Sequence, residues 1–333
     1  IAHWGIVPWS LVIFLLVLTV LAPWLWIRPA YTPPQPLTDA QVAAIPHRLD
    51  VSFGETMRLL GYDLEMALPS ASGGAGGVKP GEQVTVTLYW QALAPTERDH
   101  TVFVHLLGEG DLVVAQRDTF PGLGLISTTW LEPGFRWADR YVLRVPETAF
   151  TPDLAQIEVG MYDSTTGVRL PASSGGDNVR FGQIEIRPRP GDFPNPIAIN
   201  FGNRMMLIGY DLDHRIVRPG DTVTLTLIWR AVKRMDINYT ISAQLIDTAQ
   251  RKAAQRDSWP QEGAAPTAAW EPGQTIVDVR PLAIAPDAAP GVYDVRIVVY
   301  HVPEDKIVHL PVISPVGEML ASHVVLTRVR VVP

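Results

Sequence analysis

The chain has 333 residues, 47% of them apolar and 18% charged, with a formal net charge of −7, 30 prolines, 26 glycines and no cysteine. The negative balance and the lack of any Lys/Arg block exclude a nucleic-acid face, which needs clustered positive charge. Without cysteine there are no disulfides, thiolate zinc sites, iron–sulfur clusters or cysteine nucleophiles, and so much Pro and Gly points to a β-rich chain with many turns.

From Trp4 to Ile27 no side chain carries a formal charge, and Trp9–Ile27 is almost wholly apolar. Nineteen helical residues span about 28 Å, close to the hydrocarbon thickness of a bilayer. Trp4 and Trp9 at one end, with Trp24, Trp26 and Arg28 at the other, fit the residues found at membrane interfaces. The expectation is one uncleaved transmembrane α-helix within residues 1–28, because a signal peptide would show a basic start, a shorter apolar core and a small-residue cleavage site. Arg28, the one nearby positive charge, lies on the C-terminal side and by the positive-inside rule weakly favours a cytoplasmic bulk; the extracytoplasmic expectation comes from fold type rather than charge. The chain opens at Ile1 without methionine, which leaves room for residues before it.

Residues 29–46 read as a Pro-rich extended stalk, with a capping box at Thr38-Asp39-Ala40-Gln41 that predicts a short helix ending before Pro46. Beyond it the chain repeats itself. Val78-Lys79-Pro80-Gly81-Glu82 leads into an alternating run ending at Trp90, and Val217-Arg218-Pro219-Gly220-Asp221 leads into another ending at Trp229. The offsets 219 − 80 and 229 − 90 are both 139. Leu59-Leu60-Gly61-Tyr62-Asp63-Leu64 returns as Leu207-Ile208-Gly209-Tyr210-Asp211-Leu212 at an offset of 148. The nine residues between the two offsets match Pro69–Gly77, a loop by composition. Gln116-Arg117-Asp118 matches Gln255-Arg256-Asp257, Asp139 matches Asp278, and Trp130 matches Trp270 with one residue of slippage. A period of this length is a whole domain.

The predicted fold class is therefore all-β: two tandem antiparallel immunoglobulin-like or jelly-roll-like β-sandwiches, residues 47–187 and 197–333, joined by a linker at 188–196 and preceded by one transmembrane helix. Carboxylates repeated in both copies (Asp63/Asp211, Asp118/Asp257, Asp139/Asp278) are read as parts of turns, with Arg117/Arg256 pairing one of them. Trp90/Trp229 and Trp130/Trp270 are read as packing residues.

The signature of Leu-Gly-Tyr-Asp-Leu, Pro-Gly-Asp/Glu, Thr-Leu-x-Trp, Gln-Arg-Asp and Trp-x-Pro-Gly resembles uncharacterised tandem β-sandwich modules in envelope proteins of green non-sulfur bacteria. Some of those follow the last transmembrane helix of membrane glycosyltransferases of the dolichyl-phosphate-mannose type. The resemblance covers roughly residues 50–333. It implies a place at the bacterial cytoplasmic membrane, single-pass in this chain with the bulk extracytoplasmic. The alternative it implies is the C-terminal glycan-binding ectodomain of a polytopic membrane glycosyltransferase. Sequence upstream of Ile1 tests the latter, since further transmembrane helices with an acidic first loop would support it and a nearby start codon would sink it.

Where the copies differ, a site can sit. Phe103 and His105 stand where the second copy has Ser242 and Gln244, and Trp137 stands where it has Ile276. By the period-two pattern Phe103 and His105 leave the core together, and with Trp137 they form a candidate exposed binding patch. Protein contact is the favoured use, either the other domain or further membrane-protein subunits; glycan stacking also fits. There is no His-Glu-x-x-His, Gly-x-Ser-x-Gly or Walker loop. The eight histidines are scattered, and Asn238-Tyr239-Thr240 is a sequon by spelling alone. The sequence assigns no catalytic residues, metal or cofactor. It describes a membrane-anchored binding or assembly module with the lipid bilayer as one partner, or an accessory subunit of a larger membrane complex.

Overall fold

The computed structural model describes residues 9–28, 32, 34–66 and 77–333. The chain is all-β with one N-terminal apolar helix. That helix, α1 (Trp9–Ala22), continues through Pro23–Ile27 as a wider turn in which the Arg28 amide donates to the Pro23 carbonyl. Proline has no amide to give, so the regular hydrogen-bond ladder is interrupted here. Ser10–Ile27 is long and apolar enough to cross a membrane. Trp24 and Trp26 are exposed, and the Arg28 guanidinium carbon lies 5.2 Å from the Trp24 ring centroid. Trp4 falls outside the described residues.

The capping box predicted at Thr38 is present. Gln41 N donates to Thr38 Oγ1 at 3.3 Å and Thr38 N to Gln41 Oε1 at 2.9 Å, opening the short helix α2 (Asp39–Ala43). Two bonds to Arg136, nearly a hundred residues further along the chain, pin this segment in place. Leu37 N donates to Arg136 O at 2.8 Å, and Asp39 pairs with the Arg136 side chain at 2.7 Å.

Nine strands come next: β1 (His47–Phe53), β2 (Met57–Met66), β3 (Gly77–Val78), β4 (Gln83–Ala92), β5 (His100–Leu107), β6 (Val113–Thr119), β7 (Arg136–Arg144), β8 (Asp153–Asp163) and β9 (Val179–Ile186). They make two sheets, β1-β2-β4-β7 and β3-β9-β8-β5-β6, around one core. Most of the loop expected at Pro69–Gly77 lies outside the described residues; Gly77 opens β3. Twelve more strands repeat the plan: β10 (Pro196–Phe201), β11 (Met205–Leu212), β12 (Ile216–Val217), β13 (Thr222–Ala231), β14 (Thr240–Ile246), β15 (Lys252–Ser258), β16 (Thr275–Ala283), β17 (Gly291–His301), β18 (Val308–His309), β19 (Val312–Ile313), β20 (Met319–Ala321) and β21 (Val324–Val331). Their sheets are β16-β13-β11-β10-β19-β20 and β12-β21-β17-β14-β15, enclosing a second core.

The repeated phrases are the parts each sandwich needs to fold. In Lys79-Pro80-Gly81-Glu82 the Glu82 amide donates to the Lys79 carbonyl at 3.0 Å, and Gly81 has φ 88°. Proline presets the second position of this turn, and glycine accepts the left-handed third. The acidic fourth residue closes the turn again, since Lys79 N donates to Glu82 Oε2 at 2.8 Å. In the second copy Arg218 N donates to Asp221 Oδ2 at 2.7 Å. The strands after these turns bury Val84, Val86, Leu88 and Trp90, or Val223, Leu225, Leu227 and Trp229, on the inner face. Even the bulge is copied: register slips at Leu59/Gly61 against β4 and at Leu207/Gly209 against β13.

The Trp130/Trp270 match needs correction. Trp270 follows a short turn of 3-10 helix, as Leu131 does in the first sandwich, so the offset stays at 139 and there is no slippage. Trp270 is buried, whereas Trp130 is 79% exposed. Trp137, read from sequence as part of an exposed patch, is fully buried beside Trp90, with ring centroids 6.4 Å apart. The first core holds Leu131 and Trp137 where the second holds Trp270 and Ile276. Each core thus contains one large and one smaller residue at the two positions, and interiors packed to crystal density tolerate such volume-conserving exchanges best.

Candidate functional site

Phe103 and His105 do leave the first core, pointing outward from the β3-β9-β8-β5-β6 sheet, but they form no exposed patch. Phe103 is 1% exposed. The Arg169 guanidinium carbon sits 4.3 Å from its ring centroid and the His105 ring 4.9 Å away. Opposite it on β8 is Gly160, where a Cβ would stand 2.3 Å from Phe103 Cζ, so glycine makes room for the ring. Trp137 lies in the other sheet, and the three residues are not brought together.

His105 is the centre of a charged row across four strands. Its Nε2 is 3.2 Å from Asp118 on β6 and its Nδ1 3.4 Å from Glu158 on β8. Glu158 pairs in turn with Arg180 on β9 at 3.0 Å, and Arg180 with Asp111 at 2.6 Å. Burial alone would lower the His105 pKa, but the bonds to Asp118 and Glu158 overcome it and raise it to about 9. Glu158 is held below its ordinary value, first by the His105 bond and then by Arg180. Because the folded pKa of His105 exceeds the ordinary 6.5, its stabilisation is complete below pH 6.5 and is lost as pH rises through about 9. We expect residues 38–333 to lose about 2 kcal/mol between pH 6 and pH 9.5 from this row. Urea denaturation at the two pH values measures the loss, and His105→Gln should remove most of the difference.

The second sandwich leaves the same face open. Ser242 and Gln244 replace Phe103 and His105, Val298 stands opposite, and a groove of about 460 Å³ remains. Polar groups from three neighbouring strands line it. Gln244 Nε2 donates to Ser242 Oγ at 2.9 Å, Gln255 Nε2 to Asp257 Oδ2 at 2.7 Å, and the Tyr300 hydroxyl to the same Asp257 oxygen at 3.2 Å. Arg296 Nη1 reaches Gln250 at 3.2 Å, while its buried Nε has no partner among the described residues. His309 and His323 close one side. His323 is lowered by burial and then by the nearby charges of Arg296 and His309. Tyr300 is raised by burial and by Asp257.

Comparing the two copies in sequence flags this position, but from the wrong copy. The outward Phe103 draws notice as an addition, when the small Ser242 is the feature that opens a site. The repeated Asp139/Asp278 pair and Arg256 are accounted for locally. Asp139 Oδ2 accepts from Gly122 N and the Tyr141 hydroxyl, both at 2.8 Å, and Asp278 accepts from Gln261 N and Arg280 Nε, both at 2.7 Å. Arg256 pairs with Glu262 rather than with a repeated aspartate. Among the described residues no group of three or more His, Asp or Glu is placed to hold a metal ion.

Contact between the sandwiches uses none of Phe103, His105 or Trp137. Arg215 reaches Asp153 at 2.9 Å and Glu109 at 3.1 Å, and its guanidinium carbon lies 4.6 Å from the Phe150 ring centroid. The Tyr210 hydroxyl donates to Thr148 O at 2.6 Å, and Arg330 Nη2 to Asp111 O at 3.0 Å.

No protein-family model matches this chain, and no curated protein matches it. Among solved structures it is similar to a crystal structure of the C-terminal domain of Wzt, at 10% identity and a TM-score of 0.31, over 46% of this chain and 87% of that one.

Proposed function

We propose that this chain is a membrane-anchored, extracytoplasmic binding module: an anchor at 1–28, a stalk at 29–46, and two sandwich domains, 47–187 and 197–333, joined by 188–196. The observation that carries a binding role is the open polar groove of the second sandwich, on a sheet face that the first sandwich fills with Phe103 and a row of ion pairs. One copy serves as scaffold and the other presents a site.

The groove's chemistry suits a glycan. Ser242, Gln244, Gln255, Asp257 and Tyr300 offer hydroxyl, amide and carboxylate partners spaced across neighbouring strands, which a chain of sugar hydroxyls can meet. The Tyr300 ring and Val298 supply apolar area, and Arg296 keeps one buried N–H unpaired. The role proposed for the groove is binding, with no reaction assigned to these groups.

The first sandwich supplies the test. Ser242→Phe combined with Val298→Gly installs the ring, and the room for it, that close the equivalent face. Wild-type chain in detergent micelles should bind a subset of an oligosaccharide array, and the double variant should bind that subset at least about tenfold more weakly. An array with no binders would remove the glycan reading, and equal binding by both proteins would move the site elsewhere.

A further inference from the structure

The far end of the first sandwich carries apolar residues that its twin lacks. Leu123 is 53% exposed and Trp130 79%, beside a hollow of about 400 Å³ lined by Leu125, Trp130 and Phe135; the neighbouring Phe120, 38% exposed, is matched in the twin by Trp259 at 43%. At the 139 offset the second sandwich has Glu262, Ala264, Ala269 and Gln274 for Leu123, Leu125, Trp130 and Phe135. The fold therefore does not require these side chains. Leu123 stands at φ 58°, a left-handed conformation that a leucine rarely adopts; the turn itself is common to both sandwiches, with Glu262 at φ 56° and bonds from Gly122 N to Asp139 and from Gln261 N to Asp278.

The same end is where the stalk attaches. A Cβ on Gly122 would lie 3.1 Å from the Pro34 ring, and Leu37 and Asp39 bond to Arg136. From Arg28, at the end of the apolar helix, to Pro34 is six peptide steps, which cannot span more than about 22 Å. If the helix spans the bilayer, the Phe120–Trp130 loops are tethered beside its surface, whichever way the chain is oriented. Exposed tryptophan with aliphatic neighbours is the composition that settles at the headgroup boundary.

We propose that the Phe120–Trp130 loops, with Leu123 and Trp130 foremost, dock the first sandwich onto the lipid interface. This rests on the anchored reading of the helix and extends it. The sandwich is seated on the membrane by a second contact, so the groove of the second sandwich is held at a set height above the bilayer.

The absence of cysteine makes the test direct. Leu123→Cys, carrying an environment-sensitive fluorophore, is reconstituted as the full chain in phosphatidylcholine vesicles, with Glu262→Cys as the matched position on the second sandwich. Vesicle flotation reports the anchor separately. The Leu123 label should be blue-shifted and quenched by brominated lipid at least twofold more than the Glu262 label, and Trp130→Ser should reduce that quenching. A chain that floats while its Leu123 label stays water-exposed overturns the docking and leaves the anchor standing. A blue shift without bromolipid quenching indicates a protein surface over the loops and overturns it as well. A chain that does not float overturns both.

Discussion

Arg280→Ala should destabilise the second sandwich by about 3–5 kcal/mol, the cost of stranding a buried charge. Arg280 is fully buried, and its guanidinium does three things at once. Nε donates to Asp278 at 2.7 Å, Nη1 to the Ile241 carbonyl at 2.8 Å on β14, and Nη2 to the Ser258 carbonyl at 3.2 Å on β15. It ties one sheet of the sandwich to the other. Alanine would leave Asp278 with the Gln261 amide and leave both carbonyls short of a donor. An unpaired buried carboxylate has a raised folded pKa, so it is tolerated when protonated and becomes costly as pH rises. The deficit of Arg280→Ala should accordingly be smaller at pH 5 than at pH 7.5 in urea denaturation of residues 38–333. The first sandwich again supplies the control. Tyr141 occupies the matching position and satisfies Asp139 with one hydroxyl at 2.8 Å. Arg280→Tyr should therefore recover about half of the loss. Equal stability of Arg280→Ala and wild type would mean that water or rearranged side chains satisfy these groups.

That pair also shows what could and could not be read from sequence. The 139-residue offset was legible because alternation and turn chemistry are local: Pro-Gly turns, the bulge after Leu59 and the buried faces of β4 and β13 all arise from neighbours in the chain. Where a side chain points was also legible, since Phe103 and His105 do leave the core. What covers it was not. The lid on Phe103 comes from Arg169, far along the chain, and from the glycine at 160 on a paired strand. The burial of Trp137 is hidden from sequence for a related reason. A tryptophan facing an isoleucine in the other copy looks like an addition until Leu131 and Trp270 are matched, and that match depends on a turn whose offset sequence similarity alone had shifted by one. The groove is hidden from sequence for a third reason, because an opening is defined by the residues that do not fill it.

Arg215→Met should uncouple the two sandwiches. Its side chain is 4% exposed and Asp153 is 3% exposed, 2.9 Å apart. Glu109, more exposed, adds a second carboxylate at 3.1 Å, and the guanidinium lies over Phe150. Methionine keeps most of the volume but leaves Asp153 buried with the Glu109 amide as its hydrogen-bond donor. The expected loss is about 3–5 kcal/mol of interface energy. Because each sandwich has its own core, the loss should appear as a change in cooperativity rather than as global unfolding. Denaturation of residues 38–333 should separate into two transitions, and small-angle scattering should show a wider spread of interdomain distances. Arg215→Met with Asp153→Leu should restore much of the coupling, since replacing both members of a buried pair by apolar groups is often neutral. The double-mutant cycle should then give an interaction term above about 1 kcal/mol. If Arg215→Met leaves one transition and an unchanged scattering profile, Tyr210, Arg328 and Arg330 hold the sandwiches together without it. The outcome matters for the groove. A binding face carried on a rigid pair above a docked first sandwich meets its ligand at one height and angle, whereas one on a loose tether searches a volume and binds with the entropy cost of being ordered.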